Sequence, residues 1–176
     1  MLSQVLFTVF ILLTGGERIV ELVVSRRNAA WAFARGGVES GRGHFPAMVS
    51  LHTGLLVGAV AEVWLLDRPF IALLGWPMFA VAMLCQLGRL WIIRSLGHQW
   101  NTRIIVVPGL QLSARGPYRW LTHPNYVLVA VEGIAIPLVH TAWITCAAFA
   151  VLNAILLLGF RIPAENRALK AAGAAS

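Results

Sequence analysis

The feature that most constrains this chain is a set of apolar runs, each near the length that crosses a bilayer, separated by short arginine-bearing segments. A bilayer core takes about 20 apolar residues of helix. By that measure the sequence predicts about five spans. The first runs from about Leu2 to Ser25 and becomes charged in its second half, at Glu17, Arg18 and Glu21. The second covers Ala47 to Leu66, and Asp67-Arg68-Pro69 ends it. The third covers Phe70 to Ile93, with Pro77 expected to kink it. The fourth, Tyr126 to His140, and the fifth, Ala142 to Phe160, are joined by so few residues that they should form a tight helical hairpin. Met1–Thr14 has neither a basic leader region nor a small-residue cleavage site, so it reads as half of a retained helix.

Composition agrees. Only 12% of the 176 residues are charged and 59% are hydrophobic, whereas a soluble domain carries roughly 25% charged residues. The expected fold class is an all-α, polytopic membrane protein with a structured cytoplasmic loop. Residues 1–176 would form a single domain, with the loop and cofactor-binding part at about 96–176. The net charge of +7 is almost all arginine. Because those arginines sit between apolar runs, they point to membrane topology and not to nucleic acid. Arg26, Arg27, Arg35 and Arg42 follow the first span, Arg94, Arg103, Arg115 and Arg119 the third, and Arg161, Arg167 and Lys170 the last. All fall on one side of a five-span layout, and the other side has only Arg68. The positive-inside rule then puts the N-terminus outside and the site-bearing loops in the cytoplasm, as in a bacterial inner membrane. Cys85 and Cys146 lie inside apolar runs and read as small buried hydrophobes, with no disulfide or metal site implied.

Ionisable groups inside a bilayer are costly, so each is a candidate for function. Counting about 1.5 Å per residue from the cytoplasmic ends puts Glu17, Glu21, His52, Arg89 and Glu132 roughly 6–12 Å below that surface. Four helices contribute to this layer, which implies a polar cavity open to the cytoplasm. His52, Arg89 and Glu132 are the candidate catalytic residues, with Asn101 and Arg161 as further candidates for binding the substrate. Arg89 neutralising Glu132 or Glu21 as structural glue is the competing reading. Glu62 and His140 fall near the outer span ends, where interfacial solvation accounts for them. Asn153 reads as an interhelical hydrogen bond.

Leu96–Tyr126 is too polar for a span and too apolar for a solvated loop. Ile104–Val107 is β-like, and Pro108-Gly109 and Gly116-Pro117 are turn signals. Gly116-Pro117-Tyr118, then His123-Pro124-Asn125-Tyr126, then Arg161-Ile162-Pro163-Ala164-Glu165 together resemble the isoprenylcysteine carboxyl methyltransferase family. Leu96-Gly97 and Trp100-Asn101-Thr102 fit as well. The N-terminal half is similar to a small bacterial branch of that family in Glu17-Arg18, Glu21, Ser25, Arg27-Asn28, Trp31, His44 and His52.

The resemblance implies an S-adenosylmethionine-dependent methyltransferase. Leu112, Tyr118, His123, Pro124, Tyr126 and Glu165 would line the cofactor pocket. Glu165 suits the cofactor's ammonium group, and the two tyrosines suit its sulfonium. The bacterial branch is associated with long-chain alkylpyrones and alkylresorcinols, so the implied partners are a lipophilic small molecule and membrane lipid. Thr122, where many relatives carry arginine, and Asn166, in place of a second glutamate, depart from the family pattern, as does a tail ending at Ser176. Carboxyl methylation of a prenylated substrate, phospholipid N-methylation, a nicotinamide-dependent membrane reductase and a non-catalytic lipid-binding protein are the alternatives.

Overall fold

The computed structural model describes residues 1–111, 113 and 115–173. Its helices are α1 (Leu2–Phe33), α2 (His44–Leu65), α3 (Ala72–Leu96), α4 (Pro124–Leu138), α5 (Trp143–Leu156) and α6 (Ile162–Ala171). Two three-residue strands, β1 (Val38–Ser40) and β2 (Ile104–Val106), pair antiparallel with Glu39 opposite Ile105. The short strand expected near Ile104 is therefore present. Its partner β1, with one apolar residue in three, carried no strand pattern.

Among the described residues, three helices are long and apolar enough to cross a membrane: α2, α3 with the turn after it, and α5 continuing through α6. α4 is shorter but apolar. The 32 residues of α1 carry it well past Ser25, so its last two turns extend beyond the apolar run. α3 passes through Pro77 as one helix. α3 packs on α4, α4 on α5, and α5 on α2. The α4–α5 crossing is tight because Gly133 has no side chain there. A Cβ at that position would lie 1.9 Å from the Phe149 ring.

Two residues assigned to solvated span ends are in fact buried. Glu62 is 7% exposed. It accepts hydrogen bonds from the Ile144 N–H at 3.1 Å and the Thr145 N–H at 2.7 Å, and it pairs with Arg68 at 2.9 Å. The first turn of α5 leaves N–H groups without helical partners, and a carboxylate satisfies them while complementing the helix dipole. His140 is 1% exposed, packed against the Phe7 and Phe70 rings, with both ring nitrogens lacking a protein partner. The hairpin turn is what buries it. Thr141 takes φ +55 and donates to the Pro69 carbonyl at 2.7 Å, folding the α4–α5 connection onto the α2–α3 connection.

Candidate functional site

Most of the charges that the sequence puts within the apolar helices gather into one cluster. Arg18 and Glu21 lie one turn apart on α1 and pair at 2.7 Å. Arg18 also donates to Gln86 of α3 at 2.8 Å and to Glu132 of α4 at 2.6 Å. Arg89, one turn from Gln86, pairs with the second Glu132 oxygen, and its Nε lies 3.5 Å from Glu21. Two arginines thus face two glutamates, and the formal charge of the cluster sums to zero. That balance makes it tolerable in a low-dielectric core. Both Glu132 oxygens are occupied by guanidinium groups, so this residue holds the arginines in place. Glu17, placed in the layer by depth alone, is not part of the network. Arg18, its neighbour, is.

His52 lies at the same level on α2. Its Nδ1 is 2.8 Å from the Met48 carbonyl, which can only accept. A neutral imidazole therefore carries its proton on Nδ1 and leaves Nε2 as an acceptor. The Phe149 ring stands edge-on to the imidazole at 5.4 Å.

On the loop side, the extension of α1 anchors the chain after α3. Asn28 donates to the Gly97 carbonyl at 3.1 Å and the Trp100 carbonyl at 2.7 Å. Ser25 donates to Asn101 Oδ1 at 2.7 Å and lies at the same distance from the Thr102 hydroxyl. Asn101 is thus bound up in holding the loop. The loop then returns to the end of α3, where the Ser113 hydroxyl donates to the Ser95 carbonyl at 3.0 Å. Gly116 takes φ +59, and a Cβ there would fall 2.1 Å from Ser95 Oγ. Only glycine fits so close an approach. The single turn Gly116–Arg119 that follows presents Tyr118. Burial, and then the nearby Glu165 charge, push its phenol above the usual range. Tyr118 is therefore a neutral donor and aromatic face, not a base. Leu112 lies outside the described residues.

The His123-Pro124 step starts α4. Pro124, at the first helical position, is buried and gives up no hydrogen bond there. Tyr126 donates to Glu165 of α6, and His123 stacks on Tyr126 with ring centroids 5.4 Å apart. The His123 ring reaches Glu165 at 3.8 Å and Asn166 at 3.1 Å. Asn166, the departure from the family pattern, here partners the histidine. Between α5 and α6 a π-helical turn, Leu157–Arg161, re-aims the chain. It directs Arg161 inward, 4% exposed, to donate to the Thr102 carbonyl at 2.9 Å. Arg161 Nε and Asn125 Oδ1 are buried without a protein partner.

One cavity of about 2340 Å³ joins these two groups of residues. Tyr118, His123, Tyr126, Glu165, Asn101 and Arg161 line its loop end, and His52, Arg89, Arg18 and Glu21 its end between the helices. A single-ligand pocket is roughly 300–1,000 Å³, so this space has room for two ligands at once. The sequence reading named Arg18, Ser25 and Asn28 only as part of the resemblance, without a role, and did not name Gln86. Polar residues one turn apart on α1 and α3 were the available signal.

Comparison with known proteins identifies the family. The profile of the isoprenylcysteine carboxyl methyltransferase family matches residues 73–171. The uncharacterized protein YpbQ of Bacillus subtilis (strain 168) is 39% identical over 155 residues, covering 88% of this chain and 90% of its own. An uncharacterized protein of Haemophilus influenzae (strain ATCC 51907) is 26% identical over 160 residues, covering 86% and 88%. No solved structure matches significantly.

Proposed function

The chain belongs to the isoprenylcysteine carboxyl methyltransferase family, and from that premise we propose that it transfers a methyl group from S-adenosylmethionine to a hydroxyl of a long-chain, ring-bearing lipid. An alkylpyrone or alkylresorcinol is the acceptor class. The observation that carries this reading is the single cavity joining the loop-side residues to the charged cluster between the helices.

The residues present fit the methyl donor. Glu165 would hold its ammonium group, and Arg161, with Nε free of protein partners, its carboxylate. Tyr118, Tyr126 and His123 offer aromatic faces to the adenine and the sulfonium. Asn125 offers an acceptor for an exocyclic amine. Bound there, S-adenosylmethionine supplies an electrophilic methyl group and leaves as S-adenosylhomocysteine. Arg89 holds the acceptor oxygen as an anion, and His52 Nε2 takes its proton. A hydroxypyrone enol arrives largely ionised, whereas a phenol, with a pKa of about 10, needs that help. Positioning and exclusion of water supply the rest. In detergent-purified protein, S-adenosylhomocysteine should bind and NADPH should not. His52→Ala should lower methyl transfer to pentadecylresorcinol by about 100-fold, as for loss of a general base, with unchanged affinity for S-adenosylhomocysteine. Unchanged turnover would remove His52 from the mechanism.

The same reading takes the five apolar helices as five spans, residues 1–176 as one domain, and the loops after α1 and α3 as cytoplasmic. Arginine asymmetry supports that orientation. In a background lacking Cys85 and Cys146, Ser3→Cys should react with an impermeant thiol reagent on intact cells. Ser40→Cys should react only after lysis. The reverse pattern would overturn the orientation and the cytoplasmic site together.

A further inference from the structure

Arg161 is a buried charge without a counter-ion. It lies at the loop end of the cavity, and among the described residues it enters no ion pair. Its guanidinium donates to the Thr102 carbonyl, and its Nε has no protein partner. A guanidinium is planar, so an anchor at one nitrogen sets the direction of the others. The direction from which Arg161 can meet an anion therefore depends on where the Thr102 carbonyl points.

That carbonyl is fixed from α1. The Ser25 hydroxyl donates to Asn101 Oδ1 at 2.7 Å. With its proton so committed, it accepts from the Thr102 hydroxyl at 2.7 Å and from the Thr102 N–H at 3.1 Å. A serine hydroxyl has one proton and two lone pairs, so all three are used on two consecutive residues. Asn101 Oδ1 in turn accepts from the Arg103 N–H at 3.0 Å. The Arg103 N–H and the Thr102 carbonyl are opposite ends of one rigid peptide plane, so holding the first orients the second. Ser25 is 3% exposed and stands behind the cavity wall, whereas Asn101, Thr102 and Arg161 form part of it. Tethering the loop does not require this arrangement, because Asn28 already ties it to α1 through the Gly97 and Trp100 carbonyls.

We propose that Ser25 is a positioning residue for the methyl donor: through Asn101 and the Thr102–Arg103 peptide it aims Arg161 at the donor's carboxylate. This rests on the methyltransferase reading above. It brings α1 into donor binding, although α1 lies outside residues 73–171 matched by the family profile. The same face of α1 then serves both ends of the cavity. Arg18, Glu21, Ser25 and Asn28 recur at spacings of three and four, which places them on one stripe. Arg18 and Glu21 belong to the charged cluster. Ser25, four residues beyond Glu21 and about 6 Å along the axis, sets Arg161. One rigid helix thus keeps the site for the donor's carboxylate in register with the site for the acceptor's oxygen.

Two ligands separate positioning from simple tethering. S-adenosylhomocysteine carries the amino-acid carboxylate, and 5′-deoxy-5′-methylthioadenosine has the same adenosine and sulfur without it. In detergent-purified protein, Ser25→Ala should weaken S-adenosylhomocysteine binding about tenfold, as for a misplaced hydrogen bond to a charged group. Methylthioadenosine affinity should stay at the wild-type value. Ser25→Cys keeps the volume but bonds only weakly, so it should show the same split even if Ser25→Ala folds poorly. In an Arg161→Ala background, Ser25→Ala should cost nothing further, because the two residues act as one unit. Asn28→Ala, which loosens the loop upstream, should lower the melting temperature without distinguishing the two ligands. Equal losses of both ligands in the Ser25 variants, or losses that add to that of Arg161→Ala, would overturn the positioning role and leave the methyltransferase reading intact. Wild-type protein that binds neither ligand would remove both.

Discussion

Glu165→Ala is expected to weaken S-adenosylhomocysteine binding by about 1.5–3 kcal/mol, the range for a hydrogen bond to a charged group, or roughly ten- to a hundred-and-fifty-fold in dissociation constant. Among the described residues, Glu165 is the one carboxylate at the loop end of the cavity, where it accepts from Tyr126 and faces His123. Part of the loss is indirect, because removing the carboxylate leaves the Tyr126 hydroxyl without its acceptor. Glu165→Gln separates the two effects. It keeps an acceptor for Tyr126 and loses only the charge, so it should retain the melting temperature yet still weaken binding. Calorimetric titration of both variants decides the matter. Wild-type affinity in Glu165→Ala would sink the assignment.

Arg89→Ala is expected to cost about 3–5 kcal/mol of stability, the penalty for breaking a buried pair and leaving its partner charged. Glu132 and Glu21 would then share Arg18 alone, and the cluster would carry one uncompensated negative charge. The double variant Arg89→Met with Glu132→Leu should recover most of the stability, since replacing a whole buried pair by apolar groups is often neutral. It should not recover methyl transfer, because the group that holds the acceptor oxygen is still missing. Chemical unfolding in detergent and a methyl-transfer assay on the same preparations read the two roles separately. A single variant as stable as the wild type would show the cluster to be solvated. A double variant with full turnover would make it structural only.

The helices were legible because apolar runs bounded by arginine and proline leave few alternatives, and the runs around Ala47–Leu66 and Ala142–Phe160 correspond to α2 and α5. The structured loop was legible as punctuation, from Pro108-Gly109 and Gly116-Pro117. What stayed hidden depended on helix rotation and on distant partners. Glu17 and Arg18 share a depth, but one residue turns a helix by about 100°, and only Arg18 points at Gln86 and Glu132. Glu62 looked like an interfacial charge until α5 brought two unpaired N–H groups to it. β1 was invisible because Val38-Glu39-Ser40 acquires strand geometry only through its pairing with β2, far along the chain. The tyrosines, His123 and Glu165 were singled out by their motif, whereas their mutual contacts needed the fold.

The pairing of Arg18 with Glu21 also bears on how the protein is made. A nascent membrane protein meets lipid helix by helix, so with α1 as the first of the five proposed spans, it meets hydrocarbon before α3 and α4 exist. Its arginine and glutamate lie one turn apart at 2.7 Å, so each can discharge the other within a single isolated segment. Within α1 that leaves Glu17, outside the pair, as the one formal charge before Ser25. Arg89 and Glu132 have no such internal partner on their own helices, and each is stranded until the other arrives. The chain thus delivers its self-neutralised charges first, and they are already in place to receive the two that cannot wait alone.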